Sequence, residues 1–264
     1  WGIPDNLFYH KFFEYLDAKH NPKSSKVFAA LTTVMNHAFW DSVPKHKRKF
    51  CQSCSRVGNY SNSIYLTDQH IKTFFELLHQ RSYLKNSLVI IVGDHSYPLG
   101  EHGQGSNAQG AFEENFRTPF LMFWPDKIDA QSLAVNPYSQ LDIAPTIIDI
   151  LGISIRNHFR GHSIFEKPLL DRPIYLIQPY DGTLLASVRW PYKFIHQLQG
   201  NNSLLFNLVN DPSEQQNLIK TFGYKDLIKT FHRDIDNIKL NQELIERNQI
   251  WQNRFVSVAQ DKKS

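Results

Sequence analysis

An aspartate and a histidine, Asp94 and His95, directly follow an apolar run that ends at Gly93. The run, Leu88-Val-Ile-Ile-Val92, contains only branched aliphatic residues, which is typical of a strand buried on both faces. Ligands of α/β proteins bind at the carboxyl ends of strands, so both side chains are expected to lie in a site. A carboxylate and a neutral imidazole together suit zinc, manganese or a similar divalent ion. The alternatives are Asp94 as a turn or capping residue and His95 as a hydrogen-bonded packing residue.

Further motifs occur in order along the chain, and the ordered set resembles one enzyme family. The matching segments are Gly93–His95, Gly100–Gly103, Phe116–Leu121, Ser139–Ile147, Gly161–Ile164 and Leu205–Leu218. They resemble the C-terminal half of the catalytic domain of a sulfatase-type member of the alkaline phosphatase superfamily. The match extends over most of residues 1–220.

This resemblance implies a fold class and a chemistry. The fold is an α/β fold with an alkaline-phosphatase-like mixed sheet flanked by helices and with a small C-terminal antiparallel subdomain. The chemistry is metal-dependent hydrolysis or transfer of phosphate or sulfate esters. Asp94 and His95 are then ligands of a divalent metal ion, which is manganese, zinc, magnesium or calcium.

A second histidine, His37, is expected in the same site. Residues 26–34 form an apolar run that predicts a buried strand, and this strand delivers Asn36 and His37 to its carboxyl end. Residues 33–37 are similar to a Thr-x-x-Asn-His segment of the lipoteichoic-acid synthase branch of the superfamily. The similarity implies that His37 helps to hold a substrate phosphate, whereas packing of His37 in an aromatic cluster is the alternative.

Two other residues, His102 and Arg117, are candidates for binding an anion. His102 lies in the glycine-rich segment 100–110, which is interpreted as a loop over a cleft, with a plain surface loop as the alternative. In the first case His102 binds the metal or a substrate anion, and Glu101 orients it. Arg117 precedes a predicted strand at residues 120–124 and either anchors an anion or forms a structural salt bridge.

The nucleophile of the family has no counterpart in this chain. Family members use serine, threonine or formylglycine made from cysteine, near the end of the first strand. The sulfatase Cys-x-Pro-x-Arg signature is absent. A catalytic metal also needs about three or four protein ligands, more than Asp94 and His95 supply. We therefore expect this chain by itself to be inactive and to require an upstream half of the catalytic domain.

Two functional hypotheses follow. The match at Asn36 and His37, and the missing cysteine signature, favour phosphoglycerol or phosphoethanolamine transfer, with a lipid-linked substrate, over sulfate hydrolysis. The alternative is a non-catalytic module that binds anions at His37, Asp94, His95 and His102. Transferases of this kind are membrane-anchored with an extracytoplasmic catalytic domain, which implies a periplasmic or cell-surface location.

Composition limits the partners. The 264 residues carry a net charge of +4, and their basic residues are scattered, which argues against a nucleic-acid partner. The one dense basic run, Lys45–Lys49, is interpreted as a solvated loop, with an anionic-lipid or polyanion site as the alternative. Cys51 and Cys54 predict a local disulfide in an oxidising compartment, and a redox pair or free thiols are the alternatives. No segment approaches the roughly 20 apolar residues that span a bilayer.

Hydrophobic patterns predict three parts. Residues 1–170 form the C-terminal part of the sulfatase-like α/β domain, with a helix near the start, a loop at residues 41–62 and a helix from residue 64 to about 81. Residues 171–220 form a small antiparallel subdomain, and residues 221–264 form a helical segment. The strands of the subdomain are predicted at residues 174–177, 184–188, 192–196 and 204–208.

Overall fold

The computed structural model describes residues 2–19, 26–38, 40, 43–51, 55–129, 137–166, 172–180 and 183–249. These residues belong to two compact units, which we call the first and the second unit. The first unit comprises residues 1–92 and 119–129, and the second unit comprises residues 93–118 and 130–264. Residues 93–118 of the second unit therefore separate the two parts of the first unit along the chain. The three-part division of the sequence stays a prediction.

Two helices form the core of the first unit. Helix α1 spans Asp5–Lys19 and helix α2 spans Arg56–His79. Apolar residues recur every three or four positions on both helices, so each presents one apolar face to the other. The buried side chains of this core are Tyr9, Phe13 and Leu16 of α1, Leu77 and Leu78 of α2, and Leu84 of a 3-10 turn that follows α2.

Helix α2 begins eight residues before the predicted start at residue 64, so the prediction of a loop at residues 41–62 is wrong from residue 56 onward. The cause is local: the Ser55 side chain caps the helix by accepting a hydrogen bond from the Gly58 backbone N–H at 3.4 Å. A serine cap satisfies one of the free N–H groups of the first helical turn. The residues that follow Ser55 are mostly polar, so the recurrence of apolar residues that predicts the helix begins only later in the chain.

A two-stranded antiparallel sheet completes the first unit. Strand β1 (Val89–Val92) pairs with strand β2 (Phe120–Phe123), with Val89 opposite Phe123. The expected burial on both faces is not observed, because Leu121 is 48% exposed and Val92 is 39% exposed. The predicted strand at residues 26–34 is wrong: the backbone there has no ladder partner among the described residues. A strand exists only where a neighbouring strand takes its N–H and C=O groups.

The second unit contains the predicted small antiparallel subdomain. Its four strands lie in the order β3-β4-β5-β6, and every neighbouring pair is antiparallel. The alternating pattern predicted these strands to within two residues at each end. Their bounds are β3 Ile174–Gln178, β4 Leu184–Arg189, β5 Tyr192–Gln197 and β6 Asn202–Asn207.

Both faces of this sheet are covered within the second unit. Short helix α3 (Glu113–Phe116) and the residues before it cover one face, where Ala111 contacts Ile195 and Phe206. Long helix α5 (Lys225–Glu246) covers the other, where its Phe231 stacks on Phe194 with ring centroids 5.4 Å apart. The C-terminal helix is therefore part of the core of this unit. No helix in the described part of the chain is both long enough and apolar enough to cross a membrane.

Helix α4 (Ile143–Ile150) follows a tight 3-10 turn at Gln140–Asp142. The turn lies against the backbone of Gly161, where a Cβ atom would come within 2.0 Å of the Leu141 carbonyl oxygen. Only glycine fits this approach.

Candidate functional site

Asp94 and His95 lie side by side in the second unit. The His95 backbone N–H donates a 2.9 Å hydrogen bond to Asp94 Oδ1, and His95 Nε2 lies 3.7 Å from Asp94 Oδ2. Both side chains are open to solvent, with 89% of the Asp94 side chain and 54% of the His95 side chain exposed. A carboxylate oxygen and a ring nitrogen thus face each other at the surface of this unit.

The tautomer of the neutral His95 ring follows from the contact that its other nitrogen, Nδ1, makes. Nδ1 lies 2.9 Å from the Ser96 carbonyl oxygen. A carbonyl oxygen only accepts, so Nδ1 carries a proton and donates it. In the neutral ring Nε2 is then the atom with the lone pair, and this is how metal-binding histidines are usually oriented.

These two atoms fit a divalent ion as part of its ligand set. Ligand atoms with bonds of about 2.1 Å lie roughly 3.0–3.4 Å apart on one ion, so a separation of 3.7 Å needs only a small side-chain rotation. A complete set is not present, because no group of three or more His, Cys, Asp or Glu side chains suited to a metal occurs among the described residues. Asp94 and His95 therefore offer two donor atoms, and their role as metal ligands stays a prediction.

Gln140 holds the backbone that carries this pair. Its Nε2 donates to two carbonyl oxygens, that of Gly93 at 2.7 Å and that of Asp94 at 2.9 Å. One amide group thus fixes both peptide units on either side of the Asp94 Cα atom. Gln140 is a positioning residue that the sequence analysis missed, although it lies within a motif that carries the family resemblance.

The turn that presents Gln140 is anchored by a buried carboxylate. Asp142 is 1% exposed, and Arg172 donates to both of its oxygens at 2.6 Å. The backbone N–H groups of Ser139 and His162 also donate to it, at 2.8 and 2.9 Å. Burial raises the pKa of Asp142, but the hydrogen bonds from Arg172, Ser139 and His162 outweigh burial and hold the pKa below its usual range. The carboxylate therefore stays charged and keeps the turn in place.

His102 lies inside the second unit with both ring nitrogens occupied. Nδ1 donates to Glu114 Oε1, and Nε2 lies 3.2 Å from the Glu214 carbonyl oxygen and 3.1 Å from the Gln215 amide. The ring stacks on Phe112 with centroids 3.7 Å apart. This arrangement anchors the glycine-rich segment 100–110, and it leaves no ring nitrogen directed at a ligand. Contact of His102 with a metal or a substrate anion stays a prediction without support from this geometry.

The pKa of His102 has a consequence for stability. Burial lowers this pKa, but the hydrogen bonds to Glu114 and to the Glu214 carbonyl, with the charges of both carboxylates, raise it above the ordinary 6.5. A raised pKa means that the fold favours the protonated ring, so its contribution is complete below about pH 6.5 and is lost as pH rises through the folded-state pKa.

We therefore expect the melting midpoint to fall between pH 6.5 and 9 by more in the natural protein than in His102→Gln. Thermal unfolding followed by circular dichroism at several pH values measures this difference. The control is His10→Gln, because His10 is an exposed histidine on α1. If the melting midpoints of the natural protein and of His102→Gln fall by the same amount between pH 6.5 and 9, the assignment of a protonated ring is refuted.

A buried ion cluster lies next to His102. Lys193 is fully buried, and its Nζ lies 2.9 Å from Glu113 Oε1 and 3.0 Å from Glu214 Oε1. The Glu214 carboxylate also accepts a hydrogen bond from the Glu113 backbone N–H. Burial raises the pKa of Glu214 despite the nearby Lys193 ammonium. Lys193 and Glu214 together fasten α3 to strand β5 and to the segment after β6.

The strand pattern around Lys193 indicates that its side chain is buried. In strand β5 its position alternates with Phe194, so Lys193 shares a face with Ile195, which is buried. A charged residue at such an inward position needs a buried partner of opposite charge. Glu214 lies in the last of the family motifs, but its partner could not be read from the chain.

The remaining predicted residues are described within their own units. His37 is exposed in the first unit, and its Nδ1 lies 2.7 Å from the Ala38 carbonyl oxygen. Arg117 is exposed in the second unit and makes no ion pair with a described residue. Cys51 is disulfide-bonded, and Cys54, the only other cysteine of the sequence, lies outside the described residues. The ligand roles of His37 and Arg117 stay predictions.

Comparison with known proteins matches a family and several relatives. The family model described as Sulfatase matches residues 1–153. The Delta 4,5-hexuronate-2-O-sulfatase of Bacteroides thetaiotaomicron is 24% identical over 228 residues, which cover 75% of this chain and 47% of that protein. The extracellular sulfatase Sulf-1 homolog of Caenorhabditis elegans is 28% identical over 125 residues, covering 45% of this chain and 17% of that protein. This chain thus spans about half or less of the length of these relatives.

Solved structures share the fold. The yidJ protein of Bacteroides fragilis superposes with a TM-score of 0.68 at 20% identity, covering 93% of this chain and 59% of that protein. The structure of BT4656 in complex with D-glucosamine-2-N,6-O-disulfate superposes with a TM-score of 0.57 at 20% identity, covering 70% of this chain and 40% of that protein. These similarities confirm the predicted α/β fold class.

Proposed function

Because this chain belongs to the sulfatase branch of the alkaline phosphatase superfamily, we propose that its protein hydrolyses sulfate esters. The observation that carries the proposal is the Asp94 and His95 pair, whose Oδ2 and Nε2 atoms face each other at 3.7 Å. We propose sulfated sugars as the substrate class. The support is that one relative is named for a hexuronate 2-O-sulfate and one solved neighbour holds a sulfated glucosamine.

The residues of this chain have defined tasks in the proposed reaction. Asp94 and His95 would hold a divalent cation through Oδ2 and Nε2, and the Ser96 carbonyl keeps the His95 lone pair on Nε2. Gln140 holds the backbone of Gly93 and Asp94, so it limits the positions of both ligands. When bound, manganese, zinc, magnesium or calcium would act as a Lewis acid on the ester oxygens. The nucleophile and the other ligands are proposed to come from an upstream half of the catalytic domain, since two ligands are fewer than the roughly three that a catalytic metal needs.

Phosphoglycerol or phosphoethanolamine transfer from a lipid-linked substrate is the second candidate. Its support is the fixed position of Asn36, whose Oδ1 accepts hydrogen bonds from Ser63 Oγ at 2.9 Å and Thr67 Oγ at 2.8 Å. This places the Asn36–His37 segment at a defined position on α2. Anion binding without catalysis is the alternative if no ester is cleaved.

We also propose an extracytoplasmic location. The disulfide bond of Cys51 supports it, because disulfides persist in oxidising compartments. A relative named as extracellular gives further support. Anchoring of the protein in a membrane stays a prediction.

One assay series tests the proposed reaction. The natural protein that contains this chain together with the proposed upstream half is purified and incubated with p-nitrophenyl sulfate, p-nitrophenyl phosphate and bis-p-nitrophenyl phosphate, with and without a metal chelator. Sulfatase activity predicts release of nitrophenol from the sulfate above the phosphates, and loss of release with chelator. Faster cleavage of the phosphodiester would favour the phosphoglycerol transferase, and no cleavage of any ester would favour the binding module.

Gln140→Ala tests the positioning of the metal pair. Loss of both backbone hydrogen bonds is expected to weaken metal affinity by about 10–100-fold, which is typical of residues that orient metal ligands. Because Gln140 is exposed, we expect the melting midpoint to change little. Metal titration of the natural protein followed by mass spectrometry measures the affinity. Gln69→Ala, an exposed glutamine on α2, is the control, and equal metal affinity in both variants would contradict the role of Gln140.

A further inference from the structure

One segment of this protein contains basic residues without any acidic residue between them. Residues 42–67 contain five Lys or Arg side chains and no Asp or Glu, so their formal charge is +5. The whole chain has a charge of +4, so all its other residues together carry −1. Four of the five basic residues lie within Lys45–Lys49, which we call the basic turn.

A buried side chain fixes the backbone at the C-terminal end of the basic turn. Asn62 of helix α2 is fully buried, and its Oδ1 accepts hydrogen bonds from the backbone N–H groups of Lys49 at 2.8 Å and Phe50 at 3.0 Å. Its Nδ2 donates to the Cys51 carbonyl oxygen at 3.2 Å. A buried amide that satisfies three backbone groups holds the chain in a single conformation. The basic turn is therefore a shaped part of the first unit, which the interpretation as a solvated loop did not anticipate.

The three lysine side chains of the basic turn are open to solvent. Lys45, Lys47 and Lys49 are exposed, and none forms an ion pair with a residue in the described ranges. Lys49 lies over the ring of Tyr65, with its Nζ 4.6 Å from the ring centroid. Such a contact positions the ammonium group but does not neutralise it.

Spacing makes these charges act together. Lys45–Lys47 form a 3-10 turn that advances about 2 Å per residue, and Arg48 has an extended backbone that advances about 3.3 Å per residue, so the five positions span at most roughly 10 Å. This distance is about one Debye length at 0.1 M salt, so the electrostatic potentials of the basic side chains overlap. A nearby polyanion is therefore attracted by their combined positive potential. Clustered like charges cost stability in the free protein, and an anion that spans them offsets this repulsion.

We propose that the basic turn binds sulfated polysaccharide chains. The choice of sulfated sugar as the polyanion rests on the proposed function, whereas the position of the surface rests on the geometry of residues 45–50 and 62. A polymer of sulfated sugars carries repeated negative charges, which complement the exposed ammonium groups of Lys45, Lys47 and Lys49. Binding there would raise the concentration of substrate polymer around the enzyme.

The test measures binding without turnover. Fluorescein-labelled dextran sulfate and unsulfated dextran are titrated with the natural protein, with a Lys45→Gln, Lys47→Gln, Lys49→Gln variant, and with a Lys11→Gln, Lys72→Gln, Lys85→Gln control. Both variants lose three positive charges from exposed lysines of the first unit. We expect at least tenfold weaker binding of dextran sulfate by the basic-turn variant, less than twofold change in the control, and no binding of dextran.

Two results would overturn the proposal. Equal weakening in both variants would mean that net charge, and not the basic turn, attracts the polymer. Binding to phosphatidylserine vesicles without binding to dextran sulfate would assign the surface to a membrane. Circular dichroism melts of both variants verify that each is folded. If dextran sulfate binds through the basic turn but p-nitrophenyl sulfate is not hydrolysed, the proposed function fails while the binding surface stands.

Discussion

Replacing Asp94 by alanine in the natural protein that includes the proposed upstream half is expected to lower the proposed sulfate-ester hydrolysis about a thousandfold and to abolish binding of the proposed divalent cation. The variant loses Oδ2, one of the two facing donor atoms, and also the acceptor for the His95 backbone N–H. A metal at such a site contributes several kcal/mol to the transition state, and about 1.4 kcal/mol corresponds to a tenfold change in rate. Nitrophenol release and metal content by plasma mass spectrometry measure the two effects on the same samples.

The control for Asp94→Ala is Asp226→Ala, which removes another exposed aspartate of the second unit. Asp226 lies on α5 and pairs only with Lys229, at 3.2 Å, among the described residues. We expect it to retain activity and metal. The 89% exposure of the Asp94 side chain predicts that Asp94→Ala melts within a few degrees of the natural protein. Full metal content in a folded Asp94→Ala protein would exclude the strand-end pair as the metal site.

Lys193→Ala is expected to destabilise the second unit by about 3–5 kcal/mol. Lys193 is fully buried between Glu113 and Glu214, and its removal leaves the Glu214 carboxylate buried without its counterion. Breaking a buried ion pair from one side costs this amount because the remaining charge is not solvated. In a domain of this size the melting midpoint is expected to fall by roughly 6–20 °C.

Two further variants separate the ion cluster from general effects of truncation. Lys229→Ala removes an exposed lysine that pairs with Asp226, and such a surface pair is worth less than about 1 kcal/mol. Lys193→Met with Glu214→Gln removes both charges and keeps the side-chain volumes, so it is expected to recover most of the lost stability. If Lys193→Ala and Lys229→Ala have the same melting midpoint, the ion cluster does not stabilise the second unit.

The local elements of this fold could be predicted from the sequence where the pattern is regular. The alternating runs after residue 170 predicted all four strands of the antiparallel subdomain, because each strand pairs with its neighbour along the chain through a short turn. The apolar run before Gly93 predicted β1 and the position of Asp94 and His95 after it. Residues 26–34 have a similar apolar character but lack a paired neighbour, and apolar character alone does not form a strand.

The sequence predicts the two proposed ligands of the candidate site but not the residues that support them. Asp94 and His95 are proposed as ligands because their residue types and their place after a strand are typical of metal binding, and this role stays a prediction. Gln140 lies 46 residues beyond Asp94, and no pattern in the sequence indicates that its amide reaches the Asp94 carbonyl. His102 was expected to meet an anion, whereas the fold places a carboxylate, a carbonyl and the Phe112 ring around it.

Local patterns in the chain are sufficient to predict the secondary structure of the regular segments, the family, and the two residues proposed to hold a metal. These features depend on neighbours within a few positions or on motifs that occur in order. Tertiary structure alone decided that Gln140 fixes the Asp94 backbone, that Lys193 neutralises Glu214 across 21 positions, and that Asn62 shapes the basic turn. Each of these contacts joins residues distant in the chain, and a buried polar group takes its partner from whichever residue the packed fold brings within hydrogen-bonding distance.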